Sequence, residues 1–317
     1  MTSTPSRPDT EISIVVPMHN EEESIREFFG RLVPILNQLD LTWEIVCIDD
    51  GSTDRTWARL REGQSEHSSV QLIRLSRNFG KEIALTAGLD HASDSAIILI
   101  DADLQDPPEL ISEFVKHWRQ GYQNVYGVRT DRSQDTLFKR YTAGWFYRVF
   151  NLVSINRIPP HGGDFRLLGP DVVDALRSCR EKNRFMKGLY SWVGFPSVAV
   201  PYERPERLVG KSSFNLRRLW RLAMDGLVSH STALLKIWTY IGIAAMFVAV
   251  GLGIWLLGEY LLVRRNPPGF YLTIMVVLGL SSLNFVMLGI VGEYIGRIYD
   301  EVKQRPLYIE RNDDLAE

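Results

Sequence analysis

The stretch IILIDADLQDPPE, residues 97–109, decides how the rest of this chain is read. Four aliphatic residues run straight into Asp101, Asp103 and Asp106. A short unbroken apolar run is the pattern of a strand buried on both faces. Grouped carboxylates at the end of such a strand are costly in an interior unless a cation or a hydrogen-bond network compensates them. The strand is therefore expected to open onto a polar site.

Working outward, further β-rich runs occur at EISIVVP (11–17), WEIVCIDD (43–50), VQLIRLS (70–76) and NVYGVR (124–129), with AIILIDAD (96–103) among them. Helical patterns at 21–39, 53–64, 81–92 and 108–119 separate them. Strands alternating with helices predict an α/β domain whose mostly parallel sheet is covered on both faces. Ligands bind such sheets beyond the carboxyl ends of the strands. The polar clusters fall there: PMHNEEE after the first strand, DDGSTD after the second, DADLQD after the fourth.

No G-x-G-x-x-G follows the first strand, which argues against a dinucleotide site. GKSS at 210–213 imitates the end of a phosphate-binding loop, but Pro205 stands where that motif needs its first glycine. What remains is Asp101-Ala-Asp103. Two such carboxylates can share one divalent cation, with a diphosphate and water as its other ligands. Hard oxygen ligands suit Mg²⁺ or Mn²⁺.

The chain has 317 residues and a formal net charge of −2, so its global charge does not point to nucleic acid. Its two cysteines, Cys47 and Cys179, form no C-x-x-C pair and fit a reducing compartment. MTSTPSRPDT at the start lacks the apolar core of a signal peptide and reads as a flexible tail, residues 1–10.

Two apolar runs follow the α/β region, at 237–263 and 270–296, joined by RRNPPG. At 1.5 Å per residue the first would be roughly 40 Å long as a helix, enough to span a hydrocarbon core of about 30 Å. A membrane hairpin over 236–297 is expected, its Gly and Ser residues allowing close helix packing and self-association. Arg217, Arg218, Arg221, Lys236, Arg297, Lys303 and Arg305 on the flanks place both ends in the cytoplasm; Arg264 and Arg265 in the hairpin count against this. FNLRRLWRLAMDGLVSH (214–230) has basic residues at helical spacing among apolar ones and reads as an interfacial helix within 214–235. LFKRYTAGWFYRVFN (137–151) suits either the interface or a core helix. The acidic end, ERNDDLAE, reads as a disordered part of a cytoplasmic tail, 298–317.

Together VVPMHNEEE, IDDGSTDRT, SRNFGKEIALTAGLDHA, IDADLQDPPE, GGDFRLL, NRFMKGLYSWVGF, ERLVGKSSF and the two apolar runs resemble family 2 glycosyltransferases of the GT-A fold. The narrower resemblance is to polyprenyl-phosphate glycosyltransferases, relatives of dolichol-phosphate mannose synthase and the bacterial bactoprenol glucosyltransferases. It implies a GT-A catalytic domain over 11–213. It also implies a nucleotide-sugar donor, UDP-glucose, and a polyprenyl phosphate acceptor, undecaprenyl phosphate in a bacterium.

Residue by residue, the resemblance puts Pro17 and Glu21 beside the base and ribose, with Asp49 and Asp50 contacting them. It turns Asp101 toward the nucleotide sugar and gives the metal to Asp103, with Asp101 and Gln105. Arg129 and Arg132 would meet phosphate charge. Asp164 would be the acid near the acceptor, and Arg207 and Lys211 would engage the lipid phosphate. His19 departs from the Tyr usual in P-x-Y-N-E. Plainer readings stand beside these. Glu21 can be an early-helix acid, Asp49 and Asp50 turn caps, and Arg207 and Lys211 interfacial cations. Transfer of mannose or a modified arabinose, or a non-catalytic membrane scaffold, are the alternatives to glucosyl transfer. A processive polysaccharide synthase is disfavoured by the missing Q-x-x-R-W signature.

Overall fold

The computed structural model describes residues 10–93, 95–130, 162–202 and 269–311, with parts of 238–258. In chain order the first elements are β1 (Ile12–Met18), α1 (Ile25–Leu36), β2 (Trp43–Asp49), α2 (Thr56–Glu66), β3 (Val70–Arg74), α3 (Lys81–His91) and β4 (Ala96–Leu99). A short 3₁₀ turn (Pro108–Leu110), α4 (Ile111–Arg119) and β5 (Asn124–Arg129) follow. Then come β6 (Gly162–Leu168), α5 (Pro170–Ser178), α6 (Met186–Trp192), β7 (Ser197–Tyr202) and the long α7 (Phe270–Val302).

Seven strands form one sheet in the order β3-β2-β1-β4-β6-β5-β7. The first four are mutually parallel, and β5 and β7 are parallel to each other. β6 lies antiparallel between β4 and β5. Alternate side chains of a strand point to opposite faces, and both faces are packed. Ile12, Ile14, Val16 and Met18 of β1 join Phe28 and Leu32 of α1 and Phe114 of α4 on one side. Val15, with Val46 and Ile48 of β2, joins Leu85 and Leu89 of α3 and Val172 of α5 on the other. Double coverage is why the strands read as continuous apolar runs rather than alternating ones. Cys47 is fully buried within this core, and burial pushes its thiol upward in pKa, so it is an inert core residue.

The five expected strands and four expected helices all form, with ends shifted by a few residues. β6 and β7 lie outside the expected set. β6 in particular converts the sheet from parallel to mixed, because GGDFRLL returns between β4 and β5 in the reverse direction. That pairing joins residues about 70 apart in sequence, and no local periodicity encodes it.

The sheet and its helices form one compact unit, which also takes in residues 305–311, and the apolar helical region forms a second. In the second unit α7 runs for 33 residues, roughly 50 Å. Its Gly279–Val302 portion is long and apolar enough to cross a membrane, and none of it is buried. Phe285 and Leu288 stand 73% and 63% exposed. Among the described residues this is the one helix that meets that test. The expected first span lies partly outside them, and its described residues between 240 and 252 are helical and apolar. The helix also continues past the expected boundary at 297, and residues 308–311 lie beside β3, Glu310 and Arg311 among them being the described part of the stretch expected to be disordered.

Candidate active site

At the carboxyl ends of β1 and β2 two polar loops are laced together. Asp50 N–H donates to Met18 O (2.9 Å), prolonging the β1–β2 ladder by one bond. Asn20, in the left-handed region (φ 56°), donates its N–H to Ser52 Oγ (3.0 Å) and accepts Thr53 N–H on Oδ1 (2.9 Å). Glu21 N–H donates to Thr56 Oγ1 (2.8 Å), and Ser24 Oγ donates to Glu21 Oε2 (2.9 Å). His19 Nδ1 donates to Asp50 O (2.9 Å), which fixes the ring beside the loop. Pro17 and Asp49 thus stand near the carboxyl ends of β1 and β2, and Glu21 and Asp50 lie in the loops that follow them.

Both aspartates of the pair are buried and hold backbone. Asp49 Oδ1 accepts Ser52 N–H (2.9 Å), and its Oδ2 lies 3.3 Å from Arg74 Nε. Asp50 accepts Phe79 N–H on one oxygen (2.7 Å) and Gly80 N–H on the other (2.9 Å). The geometry found for Asp50 is therefore that of an anchor for the β3–α3 loop. Glycine is required twice in this arrangement. Gly80 has φ 99°, and Gly51, at φ 64°, would drive a Cβ to 2.4 Å from Arg77 C.

The second cluster follows from register. In the β4–β6 ladder Leu99 pairs with Arg166, so continuing the antiparallel register brings Asp101 opposite Asp164. Lys81, the first residue of α3, reaches between them, with Nζ 2.7 Å from Asp101 Oδ2 and 3.0 Å from Asp164 Oδ2. Burial opposes charge on Asp164, but Lys81, Lys187 and Arg166 outweigh it and hold its carboxyl down at about 2. Burial pushes Asp101 the other way, upward, against the pull of Lys81. Glu82, beside Lys81 in sequence, is raised to about 7 by burial and by the charge of Asp164. Its carboxylate accepts Met186 N–H at the start of α6 (3.0 Å).

The DADLQD turn that opened the question resolves into three separate jobs. Asp101 faces Lys81. Asp103 accepts Gln105 N–H across its own turn (3.2 Å), around Leu104, which sits buried at φ 56°. A leucine in that region stores backbone strain of the kind found at functional loops. Asp106 is buried and accepts the Tyr202 hydroxyl (2.5 Å), while Arg129 donates to that hydroxyl from Nε (3.1 Å) and approaches Asp106 (3.5 Å). Arg129 thus ends β5 as expected, at the mouth of the strands, oriented by two partners. Arg132, Arg207 and Lys211 lie outside the described residues.

Lys81, Glu82, Arg166, Tyr190 and Tyr202 belong to the site and were not singled out from the sequence. Arg166 is buried, its guanidinium 3.6 Å from the Tyr190 ring centre. The signal for Lys81 was its place at a helix start after R-N-F-G; the signal for Arg166 was a charge inside a strand that must be buried. Asp164 Oδ1, Tyr190 OH and Gln105 Nε2 are buried polar atoms with no hydrogen-bond partner among the described residues. Each such buried polar group without a partner calls for an explanation, and a bound polar ligand is one.

No three His, Cys, Asp or Glu side chains among the described residues converge as a preformed cation site. Asp101, Asp103 and Gln105 carry side-chain oxygens, the ligand type that Mg²⁺ or Mn²⁺ takes.

Residues 13–180 match the glycosyl transferase family 2 model. A bactoprenol glucosyl transferase of Shigella phage SfV is 42% identical over 302 residues, covering 95% of this chain and 98% of the relative. A prophage bactoprenol glucosyl transferase homolog of Escherichia coli K12 is 43% identical over 298 residues, 94% and 97% of the two chains. An uncharacterised glycosyltransferase of Synechocystis is 43% identical over 299 residues, 94% of each chain. The matched region spans β1 to the end of α5, and so takes in both acidic clusters and the lysine between them. The chain belongs to glycosyl transferase family 2 and is a glycosyltransferase.

Proposed function

We propose that this enzyme transfers glucose from UDP-glucose to a polyprenyl phosphate, undecaprenyl phosphate in a bacterium, with inversion at the anomeric carbon. The observation that carries the reading is the pairing of Asp101 with Asp164 across β4 and β6, bridged by Lys81 at the carboxyl end of the parallel strands. The names of full-length relatives support the choice of sugar and acceptor.

In this reading Pro17, Glu21 and Asp49 border the nucleoside, and Asp101, Asp103 and Gln105 hold Mg²⁺ or Mn²⁺. The cation would supply charge neutralisation for the departing diphosphate. An oxygen of the acceptor phosphate attacks the anomeric carbon, and UDP leaves from the opposite face. A phosphate monoester is already anionic near neutrality, so no strong general base is required. The protein's task is to bring one anion to another. Lys81 and Arg129, with Arg132, Arg207 and Lys211, supply the compensating positive charge. Asp164, held ionised, orients the acceptor or the sugar rather than removing a proton.

The same proposal assigns the catalytic domain to 11–213 and an interfacial helix to 214–235. A two-helix membrane hairpin over 236–297 would hold the cleft at the cytoplasmic face, where a polyprenyl phosphate headgroup sits. The acceptor then needs to diffuse only in two dimensions.

The test uses detergent-purified protein, undecaprenyl phosphate, Mn²⁺ or Mg²⁺ and a panel of sugar nucleotides, with Asp103→Ala as control. Nucleoside diphosphate release that requires the lipid phosphate, is greatest with UDP-glucose and is lost in the control is expected. Release with another donor alone would replace glucose by that sugar. No release with any donor from folded protein would favour the scaffold.

A further inference from the structure

We infer that residues 305–311 form a positioning strap for the donor pocket: they hold the start of the β3–α3 loop and the far end of α3, and thereby set the affinity for the nucleotide sugar. This rests on the donor-site reading above.

β3 is an edge strand of the sheet, and an open edge presents unpaired backbone groups. The strap covers the end of that edge. Ser76 N–H donates to Ile309 O (2.8 Å), Arg311 N–H donates to Arg74 O (2.8 Å), and Leu75 forms an antiparallel bridge with Glu310. Side chains of the strap then reach the far end of α3. Tyr308 OH donates to Asp90 Oδ2 (3.0 Å), an oxygen that also accepts Arg180 (2.7 Å). Glu310 Oε1 lies 3.1 Å from His91 Nε2, and the Tyr308 ring packs against the core cluster that contains α3.

One short segment therefore holds residues 74–76 before the loop and residues 90–91 at the close of the helix after it. Between these clips lie Arg77–Lys81, whose Phe79 and Gly80 amides hold Asp50 and whose lysine joins Asp101 to Asp164. The loop has no slack to absorb a shift, since Gly51 packs against Arg77 and Asn78 too closely for a Cβ. Displacement of the strap frees the front of the loop and the register of α3, and with them the position of Lys81. The chain enters the strap directly from α7, after a turn at Gln304 (φ 47°).

A segment that merely shields a sheet edge predicts lower stability alone; a positioning strap predicts a change in donor affinity. Arg311→Pro removes the backbone donor to Arg74 O, whereas Arg311→Ala keeps it. In the full-length protein, hydrogen exchange over residues 76–81 is expected to rise roughly tenfold in Arg311→Pro. Donor KM is expected to rise about five- to tenfold, with kcat at saturating donor within about twofold of the parent. Arg311→Ala, which keeps that backbone donor, is expected to shift both readouts less than Arg311→Pro does. Tyr308→Phe, which removes one hydroxyl bond, serves if Arg311→Pro does not fold, with a smaller shift in the same two readouts. Unchanged exchange and unchanged donor KM in folded Arg311→Pro and Tyr308→Phe would overturn the inference, as would a loss of kcat alone. Exchange is read without any donor, so a parent enzyme inactive toward every sugar nucleotide would sink the proposed function while still testing the strap.

Discussion

Lys81 balances the charge of the site, and the consequences begin at that residue. Two carboxylates share one ammonium, so Lys81→Met leaves Asp101 and Asp164 facing each other without it. Sugar transfer by the variant is expected to fall roughly 10²- to 10³-fold in kcat/KM, the scale for loss of a charged group preorganised in an active site. Glu82 gives a pH signature. Its folded pKa of about 7 lies above its ordinary 4.5, so between those values the folded chain holds a proton that the unfolded chain has released. Stability therefore falls as pH rises through that window, by up to about 3 kcal/mol once both states are ionised. Glu82→Gln keeps an oxygen for the Met186 amide and removes the titration. Thermal unfolding at pH 5 and pH 7.5 is expected to show a decline in the parent that the variant lacks.

At the scale of elements, α3 is placed by a close approach. A Cβ on Gly88 would lie 2.3 Å from Val15 Cγ1 and 2.7 Å from Ile48 Cδ1, so the helix rests directly on β1 and β2. Gly88→Ala must move the helix or those two buried side chains, at about 1–3 kcal/mol. Because Lys81 heads the same helix, the melting temperature is expected to drop and donor KM to rise together. A stable variant with unchanged KM would show that the helix start is held independently of its middle. The element pattern explains what was legible. β1 to β5 and the helices between them read correctly because burial on both faces writes itself as short aliphatic runs separated by longer segments without them. β6 did not, because GGDFRLL carries Asp164 and Arg166 and pairs across a long separation.

At the scale of the whole molecule, the contrast is between a sheet with a buried core and a 33-residue helix whose apolar side chains stand exposed. Exposed apolar surface of that extent belongs in lipid or against another helix. The full-length protein is expected to stay with membranes through an alkaline carbonate wash and to be released by detergent; recovery in the wash would remove the membrane reading. Chelation offers a second check. EDTA is expected to abolish transfer, and added Mn²⁺ or Mg²⁺ to restore it, if Asp101, Asp103 and Gln105 hold a cation; transfer unaffected by chelation would leave those side chains another role.

The order of apolar and polar runs alone determined an α/β domain, a polar site at strand ends and a separate apolar region. These are local properties, written by the burial of consecutive residues. Tertiary structure decided which acids meet. It set Asp164 across from Asp101, drew Lys81 between them, gave Asp106 to Tyr202 and Arg129, and turned Asp50 into a loop anchor. It also brought residues 308–311 back to β3. Each of these contacts joins residues far apart in sequence, and partnership over such distances is fixed by sheet order and register, which no local pattern carries.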